Sequence, residues 1–321
     1  MPKKQSKDYF EEFVPINGVT HYFLHYPVNP EAPVFLFLHG GPGQSESPMA
    51  YAVEDYADRN YNIVYYDQRG AGKTYLKNKK IRPNTAALKE DLLAAVWYLK
   101  DKYHKEAIGL IGHSWGSVLG SMFALEHPEH VLCYVGCGQV INLQENESLG
   151  LQKLIQAVQQ AGNRRDMRTI EQLGTYPTQR FSPSEYRKMG VVRKLQRKYG
   201  LSDAIDKSMV TLYRKSPIVG VRDLLALFMG GVVNLRVMNE LMRFDLRQQG
   251  RIYQVPVYYV LGEHDQLTPV ELSTAYFEEL TAPDKKLFWI VKAGHTPMLD
   301  NPQAYREAIC TIAEGWTIKK A

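Results

Sequence analysis

The pentapeptide Gly112-His113-Ser114-Trp115-Gly116 constrains the fold more than any other part of the sequence, because it has the form G-x-S-x-G. It follows the apolar run 107–111 and leads into the segment 115–126, which has the composition of a helix. A strand, a sharp turn and a helix in this order hold a serine hydroxyl clear of a sheet, since the flanking glycines let the backbone turn tightly. The pattern also occurs by chance, so the rest of the sequence decides its meaning.

Strand-like and helix-like segments alternate on both sides of the pentapeptide. Continuous apolar runs such as 34–38 and 62–66 are typical of strands that are buried on both faces of a parallel sheet. Segment 85–103 has helical periodicity, and Thr85 is expected to cap its first turn. We therefore predict an α/β fold with a mostly parallel central sheet flanked by helices. The predicted strands are 19–26, 34–38, 62–66, 107–111, 131–135, 255–261 and 287–291, and the predicted helices outside 141–249 are 85–103, 115–126, 270–280 and 302–316.

The pattern changes between about residues 141 and 249, where apolar strand runs give way to charged and amphipathic helical segments. We interpret 141–249 as a helical cap inserted into a core domain that is formed by 1–140 and 250–321. Met229-Gly230-Gly231 is either a point of flexure in this cap or a helix end. The helices predicted in the cap are 149–161, 183–199, 201–212, 221–228 and 234–246.

Composition excludes several classes of protein. Of the 321 residues, 45% are hydrophobic, and the net charge of +5 is spread along the chain, so we expect neither a nucleic-acid partner nor a membrane partner. No secretory signal and no apolar run of about 20 residues is found. Cys133 and Cys137 fall on one predicted strand, too far apart for a disulfide bond, and with Cys310 they are expected to be free thiols. These features predict a cytoplasmic protein.

Two loops downstream of Ser114 supply the groups that a nucleophilic serine needs. The strand 255–261 ends in Gly262-Glu263-His264-Asp265, and the strand 287–291 ends in Lys292-Ala293-Gly294-His295. A serine needs a base to take its proton, and the base needs an acid to orient it. The order nucleophile, acid, base along the chain predicts Asp265 as the acid and His295 as the base. Glu263 and His264 are the competing acid and base.

Attack by a serine on a carbonyl carbon produces an oxyanion that needs N–H donors. One donor is expected to be the backbone amide of Trp115, which directly follows the nucleophile. The second is expected from the loop after the buried strand 34–38, which has the sequence His39-Gly40-Gly41-Pro42-Gly43. We choose the amide of Gly41.

At these motifs the chain resembles the proline iminopeptidase-like branch (peptidase family S33) of the α/β-hydrolase superfamily. The resemblance rests on four elements, which are 39–43, Asp67-Gln68-Arg69-Gly70-Ala71-Gly72, Ser114-Trp115-Gly116-Ser117 and Gly294-His295. It implies an α/β-hydrolase fold with a helical cap after the sixth strand, and hydrolysis through an acyl-enzyme without a metal or an organic cofactor. Two positions depart from the family pattern: His113 stands where a glycine is frequent, and Lys73-Thr74 where a serine is usual.

The resemblance also implies that acidic residues of the cap hold the free amino terminus of a substrate. The candidates are Glu145, Glu147, Glu240 and Asp245, and we name Glu145 and Glu240 as the substrate-binding residues. The expected function is that of a serine hydrolase which cleaves a small ester or amide in a small molecule or short peptide, with a proline iminopeptidase-like aminopeptidase as the main expectation. A carboxylesterase or amidase is one alternative, and a non-catalytic ligand receptor on the same fold is another.

The sequence Gly70-Ala71-Gly72-Lys73-Thr74 invites comparison with a phosphate-binding loop. The phosphate-loop pattern G-x-x-x-x-G-K-[ST] requires a glycine at position 67, where this chain has Asp67. We therefore expect this loop to be structural, with Asp67 and Arg69 joining neighbouring loops.

Overall fold

The computed structural model describes residues 9–54, 56, 58–201 and 207–317 of the chain. Within these ranges eight strands form one sheet in the order β1-β2-β4-β3-β5-β6-β7-β8. The strands are β1 (Phe10–Ile16), β2 (Val19–Tyr26), β3 (Val34–Leu38), β4 (Asn62–Asp67), β5 (Ile108–His113), β6 (Val131–Cys137), β7 (Val257–Gly262) and β8 (Lys285–Ile290).

The sheet is antiparallel at its N-terminal edge and parallel elsewhere. β1 pairs with β2 and β2 pairs with β4 in antiparallel fashion, whereas every other pair of neighbours is parallel. The central strands β3, β4 and β5 are fully buried, as their continuous apolar sequences predict. The predicted mostly parallel α/β fold is confirmed, and the carboxyl ends of six parallel strands lie along one edge of the sheet.

Helices cover both faces of this sheet. Those outside 141–249 are α1 (Ala50–Glu54), α2 (Gly72–Lys77), α3 (Thr85–Tyr103), α4 (Trp115–Glu126), α12 (Val270–Glu279), α13 (Pro297–Asp300) and α14 (Pro302–Thr317). The predicted cap at Thr85 is wrong. The N-cap of α3 is Asn84, whose side chain accepts a hydrogen bond from the Ala87 amide, and Thr85 is already helical. Asparagine is the stronger N-cap residue of the two.

The segment between β6 and β7 contains helices and no strand in the part that the structure describes. They are α5 (Leu143–Gln160), α6 (Arg164–Glu171), α7 (Pro183–Lys198), α8 (Lys207–Lys215), α9 (Val221–Val233), α10 (Leu235–Leu241) and α11 (Leu246–Gln249). α5 begins six residues before its predicted start, and α6 has no counterpart among the predicted helices. Part of the predicted helix 201–212 lies outside the described residues. The predicted segment 234–246 is divided between α10 and α11.

The two ends of this helical segment meet beside β6. The Leu246 amide donates a hydrogen bond of 2.9 Å to the Ile141 carbonyl, and Asn142 forms an isolated bridge with Asp245. A segment that leaves and re-enters the sheet at one place is consistent with an inserted cap. The division into 1–140 with 250–321 and 141–249 stays a prediction.

Among the described residues, no single helix has the length and apolar composition to cross a membrane; α9 and α10, which meet at 45°, pass that test only as a pair.

The loop after β4 ties neighbouring elements together, as its sequence predicts. Asp67 accepts hydrogen bonds from the Ser45 hydroxyl at 2.5 Å and from the Lys73 amide at 2.7 Å. Arg69 forms a bidentate pair with Asp91 of α3, with distances of 2.7 and 2.8 Å. These contacts fix the loop after β4 against both the loop after β3 and α3.

Gly230 brings α9 into backbone contact with the loop after β3. A Cβ atom on Gly230 would lie 2.0 Å from the Gly43 carbonyl oxygen, and a Cβ atom on Gly43 would lie 2.5 Å from the Gly230 oxygen. Gly230 lies inside α9, so it is not a helix end. Its small size serves a close approach between the cap and the core.

We expect Gly230→Ala to lower the free energy of unfolding by about 1–3 kcal/mol, because the added methyl group must push α9 away from Gly43. The measurement is thermal or urea unfolding followed by circular dichroism. Gly315→Ala in α14 is the matched control, since nothing lies within 4 Å of its Cβ position. The control should be neutral or stabilising, and an equal loss in both variants would contradict the packing role of Gly230.

Candidate active site

Ser114 lies in the turn between β5 and α4 with φ of 52° and ψ of −118°. A non-glycine residue with positive φ is uncommon and requires support from its surroundings. Its amide donates to the Cys137 carbonyl at 2.9 Å, and its carbonyl accepts from the Ser117 amide and hydroxyl. A Cβ atom on Gly116 would lie 1.9 Å from the Leu38 carbonyl oxygen. Only glycine at this position lets the turn approach β3 so closely.

His295 and Asp265 form a hydrogen-bonded pair on the loops after β8 and β7. The distance from His295 Nδ1 to Asp265 Oδ2 is 2.9 Å. Asp265 Oδ1 accepts from the amides of Leu267 and Thr268, and Asp265 Oδ2 accepts from the Thr268 hydroxyl at 2.6 Å. Because Nδ1 faces a carboxylate, the proton of a neutral His295 is assigned to Nδ1, which leaves Nε2 as an acceptor.

The carboxyl group of Asp265 is buried and ionised. Burial alone would raise the pKa of Asp265, but the charge and hydrogen bond of His295, together with the bonds from Thr268, outweigh it and lower the pKa. The competing residues Glu263 and His264 are exposed by 51% and 68% and lie 3.9 Å apart. The structure therefore brings Asp265, and neither competitor, to His295.

Gly41 and Trp115, the two predicted oxyanion donors, both line the cavity that contains Ser114. Gly41 has φ of +114°, and a Cβ atom there would lie 2.6 Å from the Gly43 amide nitrogen. Trp115 is the first residue of α4, so its amide is one of those that have no partner within the helix.

Gln68 connects the loop 39–43, which contains Gly41, to Trp115. The sequence alone does not reveal this role. The side-chain oxygen of Gln68 accepts from the indole nitrogen of Trp115 at 2.9 Å, and its side-chain nitrogen donates to the His39 carbonyl at 3.1 Å. Its backbone amide donates to Nε2 of His39 at 3.1 Å. Burial lowers the pKa of His39, which keeps this ring neutral and able to accept. The side chain of Gln68 thus holds the loop 39–43 against Trp115.

The cavity has a volume of about 450 Å³ and contains Ser114 and His295 among its lining residues. The lining residues come partly from strands, loops and short helices of the core and partly from α5, α7, α9 and α10. Much of the lining is apolar. The apolar side chains include Phe37, Met49, Val53, Val140, Leu143, Met189, Met238, Leu241, Leu267, Met298 and Leu299.

The structure does not bring Glu145 or Glu240 to this cavity, which corrects the predicted substrate-binding pair. Glu145 forms an ion pair with Arg247 at 2.5 Å. Glu240 accepts from the Thr85 amide at 2.8 Å and pairs with Arg236 at 3.1 Å. Asp245 caps α11 and pairs with Arg247 at 2.7 Å. All three carboxylates stabilise local structure.

Glu147 is the one of the four candidate carboxylates that lines the cavity. Its side chain is 1% exposed, although it carries a charge. Arg193 of α7 donates to one carboxylate oxygen, and the Tyr176 hydroxyl donates to the other. The buried charge is therefore balanced by a neighbouring cation.

Glu46 and His113 form a second charged pair at the cavity, and this pair is absent from the sequence-based predictions. The distance from Glu46 Oε1 to His113 Nδ1 is 2.6 Å. The available signal is the departure from the family pattern at His113, but 67 residues separate the two partners, so their contact could not be inferred. Within the described residues, no group of three or more His, Cys, Asp or Glu side chains is arranged to hold a metal ion.

Several known proteins are similar to this chain in sequence or structure. The sequence matches the family model for the alpha/beta hydrolase fold over residues 33–302. The chain belongs to this family. The probable aminopeptidase YbaC of Bacillus subtilis (strain 168) is 25% identical over 322 aligned residues, which cover 96% of this chain and 97% of that protein.

Two further proteins are similar along nearly their whole length. A proline iminopeptidase of Heyndrickxia coagulans is 24% identical, with 94% of this chain and 97% of that protein covered. The crystal structure of the proline iminopeptidase from Mycobacterium smegmatis superimposes with a TM-score of 0.69 and 18% sequence identity. The match covers 97% of this chain and 100% of that chain. The predicted resemblance to the proline iminopeptidase-like branch is confirmed by these relatives, and they support a hydrolase.

Proposed function

We propose that the protein is a serine hydrolase that works through an acyl-enzyme. The observation that carries the proposal is the position of Ser114 in a positive-φ turn, on the same cavity as a His295 ring whose Nδ1 is held by buried Asp265. This arrangement leaves Nε2 of His295 as the acceptor on the cavity side.

The proposed chemistry uses these groups in sequence. His295 Nε2 takes the proton of the Ser114 hydroxyl as Oγ attacks the substrate carbonyl carbon, and Asp265 stabilises the resulting imidazolium. The amides of Gly41 and Trp115 donate to the oxyanion. The imidazolium then gives its proton to the leaving amine or alcohol, which departs and leaves an acyl-Ser114 ester. Water, deprotonated by His295, hydrolyses this ester and restores Ser114.

For the substrate, we propose the amino-terminal residue of a short peptide. The full-length relatives named as aminopeptidases support this choice, and so does the buried carboxylate of Glu147 in the cavity. An ionised carboxylate has about four acceptor positions, so Glu147 can accept from a substrate ammonium while it keeps Arg193 and Tyr176. A carboxylesterase or amidase is the second candidate, because most of the cavity lining can hold an uncharged acyl group.

We expect Ser114→Ala to abolish turnover, and Asp265→Asn to lower kcat/KM by about 10⁴-fold because the wrong tautomer of His295 is then favoured. Hydrolysis of a panel of prolyl, aminoacyl and acyl chromogenic substrates measures both effects. Glu263→Gln is the matched control for an acid on the same loop and should retain full activity. Retained turnover in Ser114→Ala would overturn the proposal. A large loss of kcat/KM in Glu263→Gln would identify Glu263, and not Asp265, as the acid.

Covalent labelling separates an enzyme from a ligand receptor on this fold. A fluorophosphonate probe should label the folded protein at Ser114 and should not label Ser114→Ala. Absence of labelling in the folded wild-type protein would favour the receptor.

We expect Glu147→Gln to raise KM for prolyl and other aminoacyl anilides by about tenfold or more, because a charged hydrogen bond to the ammonium is lost. Acyl esters without an amino group should be hydrolysed with unchanged kcat/KM. Glu145→Gln, on the same helix but outside the cavity, is the control. Equal effects of Glu147→Gln on both substrate types would contradict its role as the ammonium partner and favour the esterase.

A further inference from the structure

Both ring nitrogens of His113 face oxygen atoms, one of a carboxyl group and one of a backbone carbonyl. Nδ1 lies 2.6 Å from Glu46 Oε1, and Nε2 lies 2.8 Å from the backbone carbonyl oxygen of His295. The His113 side chain is 4% exposed, so leaving either nitrogen without a protein partner would be costly. Satisfying both bonds requires two protons on the His113–Glu46 pair, most simply as an imidazolium and a carboxylate.

This pair lies directly against the residues proposed to react. The point where a Cβ atom of Gly40 would stand is 3.2 Å from Ser114 Cβ, 3.3 Å from Glu46 Oε1 and 3.4 Å from His113 Nδ1. The rings of His113 and His295 are 5.0 Å apart between centroids. His113 precedes Ser114 in the chain and bonds to the backbone of His295, so it connects the nucleophile turn to the loop of the base.

The other charged and titratable groups around His113 come from four neighbouring elements. Glu46 and His39 lie on the loop after β3, Cys137 is opposite His113 on β6, and Asp265 and His295 lie on the loops after β7 and β8. Burial would lower the pKa of His113, but the charge and hydrogen bond of Glu46, the His295 carbonyl and the charge of Asp265 together raise it. Burial raises the pKa of the Cys137 thiol, so that group stays neutral.

We propose that the His113–Glu46 pair is a proton-dependent positioning device that holds the backbone of His295 in register with Ser114. While the pair keeps both protons, Nδ1–H and Nε2–H bind the two elements together. When the pH rises through the pKa of the imidazolium, one proton leaves. The other stays on Nδ1 beside the Glu46 carboxylate, so the Nε2 lone pair then faces a lone pair of the His295 carbonyl oxygen. The loop that carries His295 loses its connection to the turn, and the reaction rate falls. The inference rests on the proposed function in that His295 is taken as the base.

This device predicts that reactivity falls at alkaline pH, and that the fall is caused by a group of the protein and not by ionisation of the substrate. The rate of fluorophosphonate labelling of Ser114, and the kcat/KM for an acyl ester that has no amino group, are measured between about pH 5 and 10. We expect both to fall on the alkaline side with the same midpoint. In Glu46→Gln this alkaline limit should be lost, because a neutral His113 can then accept at Nδ1 from the new amide N–H and keep its Nε2–H on the His295 carbonyl.

Two further variants separate a positioning role from a merely structural one. The double variant Glu46→Gln/His113→Gln replaces the ion pair by two amides, and the new amide nitrogen at position 113 can still donate to the His295 carbonyl but cannot titrate. This variant should keep labelling at neutral pH to within about tenfold and should lose the alkaline limit. The exposed pair Glu263 and His264 provides the control: Glu263→Gln/His264→Gln should leave the whole pH profile unchanged. An alkaline limit that is identical in wild type, Glu46→Gln and the double variant would overturn the proposal.

A measurement without turnover keeps this inference distinct from the proposed function. In Ser114→Ala labelled with ¹³C at histidine Cε1, the signal of His113 is identified by its loss in the His113→Gln version of the same protein. Nuclear magnetic resonance should show His113 as an imidazolium at neutral pH, titrating at a lower pH when Glu46→Gln is added. A neutral His113 at pH 7 would overturn the device even if Ser114 is the nucleophile. If Ser114→Ala retains turnover, the proposed function fails whatever the charge of His113.

Discussion

The contact between Gly116 and the end of β3 is the constraint on which the site depends. The turn at Ser114 has an unfavourable backbone conformation, and α4 must start immediately after it. With the Gly116 Cβ position only 1.9 Å from the Leu38 carbonyl, α4 lies against the carboxyl end of β3. β3 and β5 are hydrogen-bonded neighbours in the sheet, so the serine turn and the glycine loop after β3 have one fixed relative position.

The remaining groups of the site follow from strand order. β6, β7 and β8 continue the parallel sheet beyond β5, and each ends at the same edge. A Cβ atom on Gly138, after β6, would lie 3.2 Å from His295 Nδ1 and 3.4 Å from Asp265 Oδ2. The three loops after β6, β7 and β8 therefore pack against one another. On the other side, Gln68 after β4 joins His39 to Trp115. Hydrogen bonds between adjacent loops therefore fix the positions of the site residues relative to one another.

The proposed nucleophile, acid and base at strand ends could be predicted from the sequence, whereas the cavity carboxylate on a helix face could not. Ser114, Asp265 and His295 each follow an apolar run closely, which places them at one edge of the sheet. The sequence could not decide correctly between Glu145 and Glu147. Both residues precede the predicted helix start at 149, so neither could be assigned to a helix face. In α5 the two residues are separated by about 200° around the helix axis, so only Glu147 faces the cavity and Glu145 points toward Arg247. The prediction for Glu240 is wrong for a related reason, since its partner, the start of α3, is 155 residues away.

The charges at the cavity determine how such a site can discriminate between substrates. Each of its two carboxylates already has a cation, Arg193 for Glu147 and His113 for Glu46. Under the proposed function, a substrate ammonium would share Glu147 with Arg193, and its binding energy would depend on the geometry of that shared contact more than on an uncompensated negative field. An uncharged acyl group meets no unpaired carboxylate and displaces no partner. Under the proposed function, the preference for an amino-terminal residue over a neutral ester would be set by how far Arg193 yields to the ammonium, and the two activities would separate at the Glu147–Arg193 pair.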